Sequence, residues 1–337
     1  MKHPRTRPDI NSLTDGIFSG DRVILGQAIT LIESNLETDQ QPAASLLEKV
    51  LPKTGNSLRI GVTGVPGVGK STFIESFGKY LVNKGKKVAV LTIDPSSPLT
   101  KGSILGDKTR MEELSKHPSA FVRPSSSATA TGGVAHKTRE AMFLCEAAGY
   151  DVIIVETLGV GQSEIAVSNM VDFFLLLMLA GAGDELQGMK KGIIEIADAL
   201  VITKADGSNL KNAVEAQGVY QQALHLFPVP ESGWQPTVLL SSATTGSGIE
   251  EVWNMITKQN EHTKSTGYLL RNRCRQNIAW FQDRFAQLLN KDLQQFDELR
   301  NFQKKLEGEV STSLISSQSA AKQLLDAYHE ALRRKKT

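Results

Sequence analysis

Residues 64–71 of this 337-residue sequence read GVPGVGKS and place three glycines ahead of a lysine and a serine. The spacing matches the pattern G-x-x-x-x-G-K-[ST], in which the backbone N–H groups of a glycine-rich loop surround phosphate oxygens. Lys70 is therefore predicted to contact the β- and γ-phosphates of a nucleotide, and the Ser71 hydroxyl to bind Mg²⁺. The predicted nucleotide contacts are Gly64, Val65, Pro66, Gly67, Val68, Gly69, Lys70, Ser71 and Thr72.

A second set of hydrogen-bonding side chains, TKAD at residues 203–206, follows a predicted strand. The carboxylate of Asp206 can accept hydrogen bonds from both N1–H and the exocyclic amine of guanine. Adenine offers no such pair, so the carboxylate would lose its partners at a cost of about 1–3 kcal/mol. The segment resembles the guanine-specificity motif of G proteins, with Lys204 along the base face and Thr203 in the position where Asn is more common.

Residues 239–246, LLSSATTG, resemble the loop through which G proteins contact the guanine O6 with backbone N–H groups. The residues predicted to make this contact are Ser242, Ala243 and Thr244. Each short motif on its own fits an ordinary turn equally well. Because both follow a phosphate loop in the expected order, they together favour GTP and GDP over ATP.

Three acidic residues are candidates for the magnesium site beside Ser71. Glu156 is the second-last residue of the predicted strand DVIIVET and begins Glu-Thr-Leu-Gly159, where Asp-x-x-Gly is usual. It has two possible roles, one through the water shell of Mg²⁺ and one on the attacking water; the alternative is an acid that only caps a turn. Asp94 ends another predicted strand next to the nucleotide, and Asp107 precedes a helical pattern. Asp107 either caps that helix or acts at the magnesium site and in catalysis.

Seven short apolar segments alternate with amphipathic segments and are predicted to form the strands that position these side chains. They read LRIGVTG, KVAVLTID, AFVRP, DVIIVET, DFFLLLMLA, ADALVITK and PTVLLSSA. Strands alternating with helices predict an α/β fold of the P-loop NTPase type, with a doubly wound and mainly parallel sheet. The phosphate loop lies between a predicted strand and a predicted helix, which disfavours a glycine-rich turn with a chance lysine.

Helical patterns on both sides of this region predict three domains. Residues 1–56 are predicted to form an N-terminal extension of two helices, one within RVILGQAITLIE and one within AASLLEKVL. Residues 57–260 form the G domain, and residues 261–337 form a C-terminal helical arm. The arm has little interior of its own, so its apolar stripe is expected to pack on the main domain or on a second subunit.

Composition limits the classes of function. A net charge of +2 gives no reason to expect a nucleic-acid partner. The longest apolar run, residues 173–180, is far shorter than the ~20 residues that cross a bilayer, and the N-terminus has no signal-like segment. The two cysteines fit a reducing compartment. We therefore expect a soluble, cytoplasmic protein without a membrane segment.

Several longer segments are similar to one family, the MeaB/ArgK group of G-protein chaperones for adenosylcobalamin-dependent methylmalonyl-CoA mutase. They are LRIGVTGVPGVGKSTF, IDPSSP, GSILGDKTRM, CEAAGYDVIIVET and LQGMKKGI. The resemblance implies a homodimer joined through the C-terminal arm. It also implies slow GTP hydrolysis that the mutase accelerates and that gates cofactor loading and protects the mutase. Which acyl-CoA mutase is the partner stays open, and the SSSATATGGVAHKTRE segment departs from the family's pattern.

The segment GAGDELQGMKKG combines signals for helix and for loop. Asp184 and Gln187 resemble a capping box, whereas Gly188 and Gly192 each cost about 1 kcal/mol in a helix interior. The family resemblance implies a mobile third switch here, in which Lys190 contributes to stimulated GTP hydrolysis. Lys190→Ala is then expected to lower the stimulated rate more than nucleotide affinity.

Two other classes of nucleotidase share this fold, and a non-catalytic interaction module also stays open. A metal-inserting GTPase usually carries clustered His and Cys residues, whereas the six histidines here are scattered. A transport ATPase would need the signature Leu-Ser-Gly-Gly-Gln, which the sequence lacks. The MeaB/ArgK group was nevertheless also described as an arginine/ornithine transport ATPase or kinase, so a transport-associated nucleotidase remains an alternative.

Overall fold

The computed structural model describes residues 9–93, 111–124, 131–157, 163–181 and 191–335. The chain divides into two compact units, Met1–Arg273 and Cys274–Thr337. Among the described residues, no helix is both long enough and apolar enough to cross a membrane.

The first unit is built on one sheet of seven strands, all parallel to their neighbours. The strands are β1 Leu58–Gly64, β2 Val88–Ile93, β3 Ala120–Pro124, β4 Val152–Thr157, β5 Phe173–Met178, β6 Ala199–Ile202 and β7 Thr237–Leu240. Their order across the sheet is β3-β2-β4-β1-β5-β6-β7. Every residue of β1, β2, β4, β5 and β6 is buried, as expected for a parallel sheet covered on both faces. All seven predicted strands are present, and the predicted α/β fold is confirmed.

Helices connect these strands and make up the second unit. They are α1 Ile10–Phe18, α2 Arg22–Glu33, α3 Glu37–Val50, α4 Lys70–Asn83, α5 Glu112–Lys116, α6 Thr131–Ala147, α7 Ser163–Ser168, α8 Lys191–Glu195, α9 Leu210–Leu224, α10 Ile249–Ser265, α11 Tyr268–Leu293, α12 Asp297–Ser311 and α13 Ser317–Lys335. Short 3₁₀ turns lie at Leu51–Lys53 and Gly207–Asn209.

The N-terminal extension has three helices where two were predicted. The additional helix, α1, begins after Asp9, whose carboxylate accepts hydrogen bonds from the backbone N–H groups of Asn11 and Ser12. A Cβ at Gly16 would lie 2.5 Å from the Cγ2 of Ile24, so the glycine allows α1 to pass close to α2. A nine-residue helix with an internal glycine gives a weak periodic signal, which explains the incorrect prediction.

The strand order places the chemistry at one edge of the sheet. β1 lies between β4 and β5, with Val62 opposite Glu156 and Gly64 opposite Leu177. Because the strands are parallel, the carboxyl ends of β1, β4, β6 and β7 lie at the same edge of the sheet. This is the edge at which open α/β sheets bind their ligands.

The second unit is a small helical unit with few buried apolar side chains. Within it the Phe296 and Tyr328 rings meet edge to face at 6.2 Å, and the Tyr328 hydroxyl donates to the Asp292 carboxylate at 2.6 Å. Leu299 and Leu306 on α12 are buried.

Candidate functional site

The phosphate loop joins the end of β1 to the start of α4, as the sequence predicts. At Gly64 a Cβ would lie 2.5 Å from the carbonyl oxygen of Leu177, so only glycine fits this close approach of β1 and β5. Gly69 caps α4 with φ of 91°, a left-handed conformation that favours glycine. These two glycines place the loop directly before the N-terminus of α4, where backbone N–H groups and the helix dipole favour an anion.

The Lys70 ammonium is held across this loop. It donates to the carbonyl oxygens of Gly64 at 2.6 Å and of Val65 at 3.3 Å. Burial lowers the pKa of Lys70, and the nearby carboxylates of Glu156 and Glu164 oppose that change. The loop therefore contains a buried lysine side chain whose charged form is favoured by two acids and would be favoured further by a phosphate.

Ser71 and Glu156 meet beside the loop. The Ser71 hydroxyl donates to Glu156 Oε1 at 2.9 Å, and Glu156 is fully buried at the end of β4. A hydroxyl and a carboxylate at this separation offer the oxygen ligands that Mg²⁺ prefers, so this part of the predicted magnesium site fits the ion. The other two predicted ligands, Asp94 and Asp107, lie outside the described residues, as does Gly159.

Two residues that the sequence analysis did not single out lie at this site. Thr157 donates from its hydroxyl to the Thr63 hydroxyl at 2.8 Å, which joins the buried ends of β4 and β1. Glu164 on α7 is fully buried and acts electrostatically on Lys70. The signal for Glu164 was present in the sequence, because it ends the segment GVGQSE directly after the strand that carries Glu156.

The two predicted base-contacting segments lie side by side. The Ser242 hydroxyl donates to the Asp206 carboxylate, and the backbone N–H of Ala205 donates to the carbonyl oxygen of Ser241 at 3.1 Å. These contacts join the segment after β6 to the segment after β7. They hold the Asp206 carboxylate at the sheet edge, where its remaining lone pairs can accept from a base.

Ser242 has a different geometry from the one expected. Its backbone N–H donates to the carbonyl oxygen of Ser247 at 2.9 Å, and its hydroxyl accepts from the Thr245 N–H at 3.2 Å. The N–H groups of Ala243 and Thr244 make no hydrogen bond within the described part of the chain. Ser242 thus orients Asp206, and the backbone N–H groups of Ala243 and Thr244 are available as donors.

Thr203 and Lys204 connect the base segment to the phosphate loop. The Thr203 hydroxyl donates to the carbonyl oxygen of Val68 at 2.7 Å, and Lys204 Nζ donates to that of Gly67 at 3.0 Å. Lys204 has a φ of 56°, and the Asn209 side chain donates to its carbonyl oxygen at 2.8 Å. Threonine therefore reaches the phosphate loop although it lacks the amide of asparagine.

Two predicted catalytic residues, Asp107 and Lys190, cannot be placed. Lys190 lies outside the described residues, which resume at Lys191, the first residue of α8. The described part of the chain brings together the phosphate loop, Glu156, Glu164 and the base segments at one edge of the sheet.

Comparison with known proteins identifies the family. The sequence model described as "Methylmalonyl Co-A mutase-associated GTPase MeaB" matches residues 25–297. A relative named "GTPase ArgK" from Escherichia coli is 50% identical over 263 residues, which is 78% of this chain and 80% of the relative.

A mouse relative and a solved structure agree with this match. The mouse protein, named "Methylmalonic aciduria type A homolog, mitochondrial", is 41% identical over 95% of this chain and 79% of its own length. The crystal structure described as "LAO/AO transport system kinase" is 37% identical, with a TM-score of 0.77 over 95% of this chain and 97% of that one. This chain belongs to the MeaB family of methylmalonyl-CoA mutase-associated GTPases and is itself a GTPase.

Proposed function

We propose that this GTPase is a chaperone for an adenosylcobalamin-dependent acyl-CoA mutase, with methylmalonyl-CoA mutase as the first candidate. The observation that carries the proposal is the family match over residues 25–297, because the family's own description names that mutase. In this proposal, GTP binding and hydrolysis gate the loading of adenosylcobalamin onto the mutase and protect the mutase from inactivation.

The residues at the sheet edge bind different parts of the nucleotide. Lys70 and the loop N–H groups bind the phosphates, and Asp206 with the N–H groups of Ala243 and Thr244 selects guanine. Ser71 and Glu156 would hold Mg²⁺, which when bound offsets negative charge on the phosphates. The oxygen ligands of this pair, 2.9 Å apart, support that assignment.

If GTP hydrolysis is coupled to the partner mutase, the conformation near the phosphate loop must differ between the GTP-bound and GDP-bound states. The Ser71–Glu156 hydrogen bond joins the start of α4 to the end of β4, and the Thr157–Thr63 hydrogen bond joins the ends of β4 and β1. A change at Ser71 is therefore transmitted directly to the chain that follows β4. We propose that partner stimulation acts through that chain and through Lys190.

An apolar stripe on the C-terminal arm supports the proposal of a homodimer. Ile278, Phe281, Phe285 and Leu288 fall at helical spacing on α11 and are 48–70% exposed, and the two phenyl rings stack at 6.4 Å. Exposed apolar stripes of this kind mark association surfaces. The occupant proposed is the same stripe of a second copy.

Sedimentation equilibrium tests the dimer. The wild type is expected at twice the 36.7 kDa chain mass and the variant Phe281→Ser/Phe285→Ser at the chain mass. Leu314→Ser removes an equally exposed apolar side chain outside the stripe and should leave the dimer intact. A monomeric wild type contradicts the proposal.

Adenosylcobalamin transfer tests the chaperone function. The absorbance of the cofactor is followed as purified mutase is loaded in the presence of this chain with GTP, GDP or neither. Loading is expected to depend on GTP and to lose that dependence with Lys70→Ala. Loading that is indifferent to this chain and to the nucleotide would contradict the chaperone function and leave the GTPase activity untouched.

The names of two similar proteins favour a second candidate, a transport-associated kinase. One solved structure is described as a transport system kinase, and the Escherichia coli relative carries the name ArgK. A kinase would transfer ³²P from the nucleotide to a protein, whereas a GTPase chaperone releases it as phosphate. Transfer to a transport component, with ATP preferred over GTP, would favour the kinase.

The metal-inserting alternative requires a metal-binding cluster. Among the residues that the structure describes, no three His, Cys, Asp or Glu side chains are grouped to hold an ion. Stoichiometric binding of Ni²⁺ or Zn²⁺ in equilibrium dialysis would favour that alternative.

A further inference from the structure

A cavity lies at the end of the sheet opposite to the nucleotide site. It measures about 330 Å³ and is lined by residues that flank the amino ends of β1 and β4, among them Ser57, Leu58, Asp151 and Val152. Small-molecule sites usually measure about 300–1,000 Å³, so the cavity is large enough for a small organic ligand. All of its lining residues belong to the first unit.

Two ammonium groups and two side-chain amides line the cavity and have no protein partner among the described residues. The side chains of Lys86, Lys264, Asn56 and Asn260 make no hydrogen bond or ion pair within the part of the chain that the structure describes. They come from three separate segments, which precede β1, precede β2 and form α10. Polar groups that converge on a cavity and are free to bind a ligand are typical of a binding site.

The other charged groups of the lining have protein partners. Arg273 donates to both carboxylate oxygens of Asp172, at 2.7 and 2.6 Å, and Asp151 accepts from the backbone N–H of Lys87 at 2.7 Å. Because Asp172 offsets Arg273 and only Asp151 opposes Lys86 and Lys264, the lining keeps a net positive charge.

The indole of Trp253 supplies an aromatic surface to the same lining. Its ring lies 6.2 Å from the Phe77 ring, and Trp253 is only partly buried. A fixed, partly exposed aromatic ring suits a planar group. Cations, amides and an aromatic surface together indicate a ligand that is both anionic and planar.

We propose that this cavity binds a small aromatic anion. Its phosphate or carboxylate accepts from Lys86 and Lys264, its polar edge meets Asn56 and Asn260, and its planar part lies against Trp253. The site is separate from the nucleotide site, because it lies at the amino ends of the strands whose carboxyl ends carry Gly64 and Glu156.

Isothermal titration calorimetry with phenyl phosphate tests the proposal. The protein is first saturated with GDP and Mg²⁺, so that the probe cannot occupy the nucleotide site. Phenyl phosphate is expected to bind in the millimolar range, as its small size allows. Inorganic phosphate, which lacks the ring, and phenol, which lacks the charge, should each bind at least about tenfold more weakly.

Paired lysine variants locate the binding. Lys86→Ala/Lys264→Ala should weaken phenyl phosphate at least about tenfold while GDP affinity is unchanged. Lys211→Ala/Lys258→Ala removes two exposed lysines outside the cavity, one of them also on α10, and should change neither affinity. No binding of phenyl phosphate to the GDP-saturated wild type, equal binding to the cavity variant, or equal affinity for phosphate or phenol overturns the proposal.

Discussion

Replacing Asp206 by Asn should invert the base preference of the site. The carboxylate is held by the Ser242 hydroxyl next to the backbone N–H groups of Ala243 and Thr244. It can accept from N1–H and the 2-amino group of guanine, and a hydrogen bond to a charged group contributes about 1.5–3 kcal/mol. Asparagine keeps one acceptor, loses the charge and directs an N–H toward the 2-amino group.

Asp206→Asn should lose about the binding free energy of one such charged hydrogen bond or slightly more, which is about 2–4 kcal/mol. This loss lowers GDP affinity about 30- to 1,000-fold. Xanthine carries a carbonyl oxygen where guanine carries the amine. That oxygen accepts from the new side-chain amide of Asn and is repelled by the native carboxylate, so Asp206→Asn should bind XDP more tightly than the wild type does.

Titration calorimetry with GDP and XDP measures both affinities for each protein. Glu215→Gln, which removes an exposed carboxylate on α9, is the matched control and should leave the ratio of the two affinities unchanged. A ratio in Asp206→Asn within about threefold of the wild-type value would falsify the assignment of Asp206 to the base.

Three further predictions concern the Ser71 hydroxyl, the Asp198 carboxyl group and the backbone at Gly248. Ser71→Ala removes the hydroxyl that donates to Glu156, so kcat for GTP hydrolysis should fall at least about tenfold and half-maximal activity should require more Mg²⁺. A Mg²⁺ titration of phosphate release measures both quantities, and an unchanged Mg²⁺ dependence would contradict the prediction. Burial raises the pKa of Asp198 to about 7 from 3.8, so folding stability should decline as pH rises from about 4 through about 7. Asp198→Asn should therefore have a higher melting temperature than the wild type at pH 8 but not at pH 4. A variant that melts at the wild-type temperature at both pH values would contradict this prediction. At Gly248, with φ of 77°, an added Cβ would lie 1.9 Å from the Leu240 carbonyl oxygen, so Gly248→Ala should lose at least about 2 kcal/mol in urea unfolding. Gly218→Ala, in open space within α9, should instead gain about 0.5–1 kcal/mol, and equal effects of the two changes would argue against the geometry.

The sequence was most informative where a signal is local. Each strand is a short apolar run bounded by turn residues, so all seven strands were predicted. The phosphate loop has a fixed spacing of glycines between a strand and a helix, and the structure places it there. Parallel connectivity followed from the alternation of strands and helices.

The remaining features depend on contacts between distant parts of the chain. The hydroxyl of Thr203 reaches the Val68 carbonyl across 135 positions, and Thr157 meets Thr63 across 94. No periodic pattern reports such pairs, because they arise from strand order and register. Glu164 differs from these pairs, because its place soon after the strand of Glu156 was visible in the sequence, although its burial and its effect on Lys70 were not.

The most direct test of the proposed chaperone function is the rate of GTP hydrolysis by this chain with and without purified methylmalonyl-CoA mutase. We expect a slow rate for this chain alone, a faster rate that saturates as mutase is added, and loss of both rates in Lys70→Ala. A rate that the mutase does not change would contradict the chaperone proposal, and ATP hydrolysis as fast as GTP hydrolysis would contradict the guanine site itself.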